Sequence, residues 1–188
     1  MARQKSDQKR EAILEAAINV IAEQGLGAPT AAISKRAAVA HGSLFNYFAT
    51  KNVLLNAVYM ELTSELTDLV LEGLPKSAEV RRQLRHLWLR WTNWGVSNPK
   101  KWRTLAQLIV SDEISQASQS AAWEYTAVPI EVFRRASATG ILRNQPADFV
   151  HGIAEALASA TIDFMIKDPA RAEAYCNAGF QTLWKALA

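Results

Sequence analysis

The chain has 188 residues, 49% hydrophobic and 21% charged, with a formal net charge of +3, which supplies a sizeable core and argues against intrinsic disorder. A single cysteine, Cys176, excludes an internal disulfide framework and suits a reducing compartment. No apolar run reaches the roughly 18–20 residues of a membrane span, and MARQKSDQKREAIL at the start lacks the apolar centre of a secretory signal, so a cytoplasmic protein with no membrane partner is expected.

The positive charge is unevenly placed. Residues 1–51 hold seven Lys/Arg (Arg3, Lys5, Lys9, Arg10, Lys35, Arg36, Lys51) against four acids (Asp7, Glu11, Glu15, Glu23), and the remaining 137 residues balance at fourteen of each sign. The whole excess therefore lies in the first quarter, which suits contact with a polyanion.

Ile13, Leu14, Ala17, Ile18 and Ile21 share one face of a helix predicted over residues 7–24, with Gly25 as its stop. Thr30 is placed to cap a short helix containing Ile33, Ser34, Arg36 and Ala37. Residues 38–41 separate it from a second short helix over residues 42–48, and this trio outlines a helix-turn-helix. Thr50 is expected to cap a long helix through Val53, Leu54, Val58, Leu62, Leu66 and Val70, closed by Gly73-Leu74-Pro75. Ser77 opens the next, with Leu84, Leu87, Trp88, Trp91 and Trp94 on its apolar stripe. Asn98 and Pro99 start a helix carrying Trp102, Leu105 and Leu108. Residues 112–139 read as one helix or two, with Pro129 a break or kink. A helix over residues 147–167 follows, and Asp168-Pro169 caps the last one. No strand alternation occurs. The fold class is all-α, about nine helices: an N-terminal helix-turn-helix domain over residues 1–50, then a helical domain over residues 51–188.

The stretch HGSLFNYFATK, residues 41–51, mixes rings with short polar groups. As the third helix, it would turn Leu44, Phe45 and Phe48 inward and leave His41, Ser43, Asn46 and Tyr47 outward. Short polar side chains reach base edges in a major groove, and hydroxyls and cations bind phosphates. Asn46 suits an adenine edge or the backbone, and Lys51 a phosphate.

The run TAAISKRAAVAHGSLFNYFATKNVLL resembles the DNA-binding signature of the TetR family of transcriptional regulators. Thr30, Ile33, Ala37, Val39, Gly42, Tyr47, Phe48, Lys51 and Leu54 match its pattern, whereas Ser34, Ala38 and Phe45 depart from it. Ala38 stands where a Gly is common, at a cost of about 1 kcal/mol if the turn there takes a positive φ. The resemblance implies a homodimer on a palindromic, double-stranded operator, and repression rather than activation. The DNA-binding set is then Thr30, His41, Gly42, Ser43, Asn46, Tyr47 and Lys51. YFATK, WG…NP and DPARAEAY…GF…LWKAL are further similar to RamR-type regulators of multidrug response.

Past the motif, the small residues of HGIAEALASAT permit close helix approach. This helix, paired with the last one through Phe180, Leu183, Trp184 and Leu187, is expected to form a four-helix dimer interface. Aromatic residues concentrate in the middle of the chain. Tyr59, Trp88, Trp91, Phe133, His151, Glu155 and Phe164 are the candidate lining of a site for a small hydrophobic or cationic effector, with core packing as the alternative for each ring. Glu155 either selects a cation or pairs with an Arg. His41, His86 and His151 are scattered, with no HxxxH, HExxH or CxxC spacing, so no metal, cofactor or enzymatic site is expected. The second reading is a helical carrier of lipids or small molecules whose helix-turn-helix no longer functions.

Overall fold

Helical periodicity carries through the chain. In a computed structural model that describes residues 2–188, with side chains from Ser6 onward, there are ten α-helices, one 3-10 turn and, among the described residues, no strand. The amino-terminal cations Arg3 and Lys5 fall outside the described side chains. The helices are α1 (Ala2–Gln24), α2 (Thr30–Arg36), α3 (His41–Tyr47), α4 (Lys51–Leu71), α5 (Val80–Ser97), α6 (Pro99–Ile109), α7 (Gln116–Tyr125), α8 (Ala127–Ala136), α9 (Ala147–Lys167) and α10 (Ala172–Leu187). The chain divides into two compact units, Met1–Thr63 with Lys100–Ala122, and Ser64–Pro99 with Trp123–Ala188.

In the first unit the apolar face of α1, with Ile13, Leu14, Ala17, Ile18 and Ile21 buried, forms one core with Ile33, Leu44, Phe48, Leu54 and Val58. Gly25, at φ +80°, ends α1, its N–H donating to the Ile21 carbonyl at 2.8 Å. α6 adds Trp102, Leu105 and Leu108 to the buried set, and Thr104 Oγ1 donates to the Ile18 carbonyl at 2.9 Å. That bond satisfies a hydroxyl which would otherwise cost free energy on burial.

The second unit packs α5 against α8, α9 and α10, and α9 against α8 and α10. Leu84, Leu87, Trp88, Val132, Phe133, Ala154, Ala158, Ile162, Phe180, Leu183 and Leu187 are its interior. Small residues set the spacing. A Cβ on Gly179 would lie 2.4 Å from Thr161 Oγ1 and 2.7 Å from Trp88 Cζ2, so α10 approaches α5 and α9 as closely as it does only because nothing stands there.

Several sequence expectations are corrected by tertiary contacts. Thr30 is the first residue of α2 and does not cap it; Pro29 holds the cap position, and Thr30 Oγ1 lies 3.1 Å from His41 Nε2 instead. α5 begins at Val80, not at Ser77. Gln83 is the reason: it is buried, and its Nε2 donates to the carbonyls of Pro75, Lys76 and Ala78 at 3.1, 2.8 and 3.1 Å, holding that segment as a turn. Residues 112–139 form two helices, but the break falls at Thr126; Pro129 sits in the first turn of α8, where its missing N–H has no helical acceptor to lose. Asp168-Pro169 enters a 3-10 turn, Pro169–Arg171, before α10. Phe180, Leu183 and Leu187 are buried within one chain, so they are core rather than interface. α9 has, by length and composition (mean hydropathy 1.3), what a membrane crossing requires, against the sequence expectation. Its Ala, Ile and Phe content raises the hydropathy, while Ala154, Ala158 and Ile162 are fully buried against neighbouring helices.

Candidate nucleic-acid interface and effector site

The turn between α2 and α3 is tight because Ala38 takes φ +53°. Its N–H donates to the Lys35 carbonyl at 3.2 Å and the Val39 N–H to the Ser34 carbonyl at 3.0 Å, closing α2. Ser34, which departs from the family pattern, is buried and donates its Oγ to the Ala31 carbonyl at 3.1 Å. The departure at Ala38 therefore costs backbone strain of about 1–2 kcal/mol without losing the turn.

Helix α3 is anchored by Leu44 and Phe48, which are 0% and 2% exposed. Phe45 is not inward, as expected from its spacing; it is 39% exposed and stacks edge-on against His41 at 5.2 Å. Seven residues make barely two turns, so two positions already saturate the inner face and the third ring is displaced outward. His41, Gly42 and Asn46 are exposed, Ser43 and Tyr47 half-buried. Lys51 is the first residue of α4, whose start is capped by Thr50 Oγ1 accepting from the Val53 N–H at 3.2 Å. Arg10 of α1 lies 5.6 Å above the Phe48 ring. Of the seven candidate DNA-contacting residues, six fall on or at the start of α2 and α3, and the seventh follows directly on α4.

The candidate effector residues separate. Trp91, Phe133, His151 and Glu155 meet in the second unit. His151 is parallel to Trp91 at a centroid distance of 6.3 Å and edge-on to Phe133 at 5.8 Å. Trp123, which the sequence reading left out of the set, is edge-on to His151 at 5.9 Å. Glu155, one turn further on α9, brings Oε1 to 3.5 Å from His151 Nδ1. Burial drives the imidazole down to about 4 and the carboxyl up to about 7, because removing either charge from water is costly. The contact is therefore one between largely uncharged groups in mildly acidic solution. The Arg partner considered for Glu155 is replaced by His151. Phe133 also walls a cavity of about 270 Å³ with Ile130, Arg134, Arg143 and Val150.

Trp88 stands apart from this cluster as a structural ring: it is buried, and its Nε1–H donates to the Cys176 carbonyl at 3.0 Å. Phe164 is 51% exposed beside Tyr175 at 5.5 Å. Tyr59 is half-buried in the first unit. Helical spacing alone gave each ring the same weight; only the packing of α5, α7, α8 and α9 sorts them. Among the described residues no group of His, Cys, Asp and Glu is placed to hold a metal ion.

Helices α2 and α3, joined by the tight turn at Ala38, form a helix-turn-helix, and a helical body follows it. Residues 13–58 match the family model of bacterial regulatory proteins, tetR family. The HTH-type transcriptional regulator BetI of Escherichia coli O45:K1 is 40% identical over 80 residues, which is 40% of this chain and 41% of BetI, so the likeness spans about two fifths of that relative. A protein of Shewanella sp. PV-4 assigned to the TetR family of transcription regulators is 26% identical, with a TM-score of 0.86 over 96% of this chain and 98% of that one. LfrR of Mycobacterium smegmatis, a TetR-like transcriptional regulator solved with proflavine, is 20% identical with a TM-score of 0.71 over 96% and 98%. The chain thus has the TetR fold, and residues 13–58 are similar to the helix-turn-helix segment of that family. These relatives are regulators, not enzymes.

Proposed function

We propose that the protein is a cytoplasmic, dimeric transcriptional repressor that binds a palindromic operator and is released by a small hydrophobic or cationic effector. Residues 1–50 act as the DNA-binding domain and residues 51–188 as the sensing and dimerising domain. The observation that carries this reading is α3. Its inner side is held by Leu44 and Phe48, which leaves Asn46, His41 and Gly42 exposed on a helix placed by a closed two-helix turn. Asn46 is the candidate base reader; Thr30, Ser43, Tyr47 and Lys51 supply phosphate contacts. A formed turn at Ala38 supports a working reader over a carrier with a vestigial one.

Effector binding would favour a conformation with wrongly spaced recognition helices, a coupling of roughly 1–3 kcal/mol in such systems. The Trp91, Phe133, His151 and Glu155 cluster is the proposed sensing site. For the dimer, α9 leaves Phe149, Gly152, Ala156, Ala160 and Phe164 exposed along its length, a largely apolar strip with Asp163 at its far end, suited to a second copy.

The test is selection of fragmented genomic DNA by the purified protein, then binding of the enriched site by wild type and Asn46→Ala. One enriched near-palindrome is expected, with Asn46→Ala costing about 1–3 kcal/mol of preference at one base position. No enrichment by a folded, dimeric protein would move the assignment to a small-molecule carrier.

A further inference from the structure

The indole N–H of Trp91 is the one buried side-chain polar atom, among the described residues, without a hydrogen-bond partner. The residue is 8% exposed, so water cannot freely serve it. An unpaired buried donor is expensive, and a native fold that keeps one calls for an explanation. The two buried indoles that flank it on α5 are satisfied: Trp88 donates to the Cys176 carbonyl at 3.0 Å and Trp94 to Glu65 Oε1 at 3.0 Å.

We propose that Trp91 is the specificity-determining donor of the effector site, and that the effector is an uncharged planar ring compound whose own acceptor atom takes the Trp91 N–H. This rests on the assignment of the sensing site to the His151 cluster. Three ring systems, Trp91, Trp123 and Phe133, surround the imidazole, and such faces receive a flat apolar body. Trp123 is 39% exposed, which gives the cluster an edge reachable from solvent. Phe133 joins it to the 270 Å³ cavity. Between about pH 4 and 7 His151 and Glu155 are both largely uncharged, and Arg134 and Arg143 in the adjoining cavity disfavour a cation. An effector lacking an acceptor would leave the indole donor unpaired and lose selectivity by the asymmetry that governs buried polar groups.

Three two-ring probes of nearly equal shape separate the possibilities: quinoline, with a ring-nitrogen acceptor; naphthalene, with none; and N-methylquinolinium, a cation without a free lone pair. Dissociation constants are measured on the full chain at pH 6, where His151 and Glu155 are both largely uncharged. Quinoline is expected to bind about tenfold tighter than naphthalene, with Trp91→Phe erasing that advantage while leaving naphthalene unchanged. As a readout that needs no variant, one of the six indole N–H resonances should move downfield with quinoline and not with naphthalene. Equal binding of quinoline and naphthalene overturns the proposal but keeps the site. Tightest binding by N-methylquinolinium overturns it too, assigning the site to cations held by Glu155. Binding of none of the three removes the sensing-site assignment itself.

Discussion

The Glu23 carboxylate lies 2.8 Å from the Arg36 guanidinium, tying the end of α1 to the end of α2. Glu23 also accepts from Lys100 of α6 at 2.9 Å, and Lys100 reaches Asn19 Oδ1 at 3.1 Å. One carboxylate thus bridges three helices of the first unit. Hydrogen bonds from Arg36 and then Lys100 hold its pKa down to about 2, from an ordinary 4.5.

That displacement sets a pH signature. A depressed carboxylate stabilises the fold above pH 4.5 and loses this contribution as pH falls through about 2. In urea melts, Glu23→Gln should be less stable than wild type by a constant margin above pH 4.5, and the margin should close towards pH 2. The groups are exposed, so added salt should shrink the margin as well. A margin that survives at pH 2 would assign the loss to something other than charge.

Ala38→Gly should stabilise the protein. The left-handed conformation costs a residue with a Cβ roughly 1–2 kcal/mol, whereas Gly's freer unfolded chain gives back about 0.4–1. Ala38 is exposed, so no packing is lost. The expected gain is about 0.5–1 kcal/mol by chemical denaturation. A loss of stability would mean the turn is not strained as its φ indicates.

Gly179→Ala should do the opposite. The added Cβ meets Thr161 Oγ1 and Trp88 Cζ2 well inside contact distance. Overpacking of this kind costs about 1–3 kcal/mol. Thermal melts check it, and a parallel Thr161→Ala, Gly179→Ala pair should recover part of the loss by removing Thr161 Oγ1 and Cγ2, 2.4 and 3.2 Å from that Cβ.

The His151 and Glu155 pair gives two opposed titrations. Glu155, raised to about 7 from 4.5, stabilises the fold fully below 4.5, and that contribution is lost as pH rises through 7. His151, lowered to about 4 from 6.5, contributes above 6.5 and loses its part as pH falls through 4. Glu155→Gln removes only the first. Its stability relative to wild type should rise between pH 4.5 and 7, by at most about 3 kcal/mol. No pH dependence in that difference would place the carboxyl in contact with water.

For the proposed dimer, Ala156→Arg or Ala160→Arg should yield monomers in light scattering without lowering the melting of the chain's own core, since neither methyl is buried in one copy. Dimers from both variants would move the interface off α9.

The helix-turn-helix was legible because its signals are local: the period of α1, the stop at Gly25, the short second and third helices, and polar groups set between anchoring rings. The bounds of α9 could likewise be read directly, from Pro146 to Asp168. Less was legible at the candidate effector site. Trp88, Trp91 and Trp94 share one stripe and one burial class, yet the first is bonded to the Cys176 carbonyl, the third to Glu65, and the second is left unpaired. Trp123 escaped because α7 carries little amphipathic pattern to mark its direction.

Composition and periodicity by themselves determined an all-α chain with a basic amino-terminal helix-turn-helix, since helix phase, caps and charge are properties of neighbouring residues. Only tertiary structure decided that Phe45 turns outward, that Gln83 holds a turn from the core, and that His151 sits among three rings with Glu155 beside it. These outcomes depend on which residues distant in sequence compete for the same buried space and the same hydrogen-bond partners, and no local pattern encodes that competition.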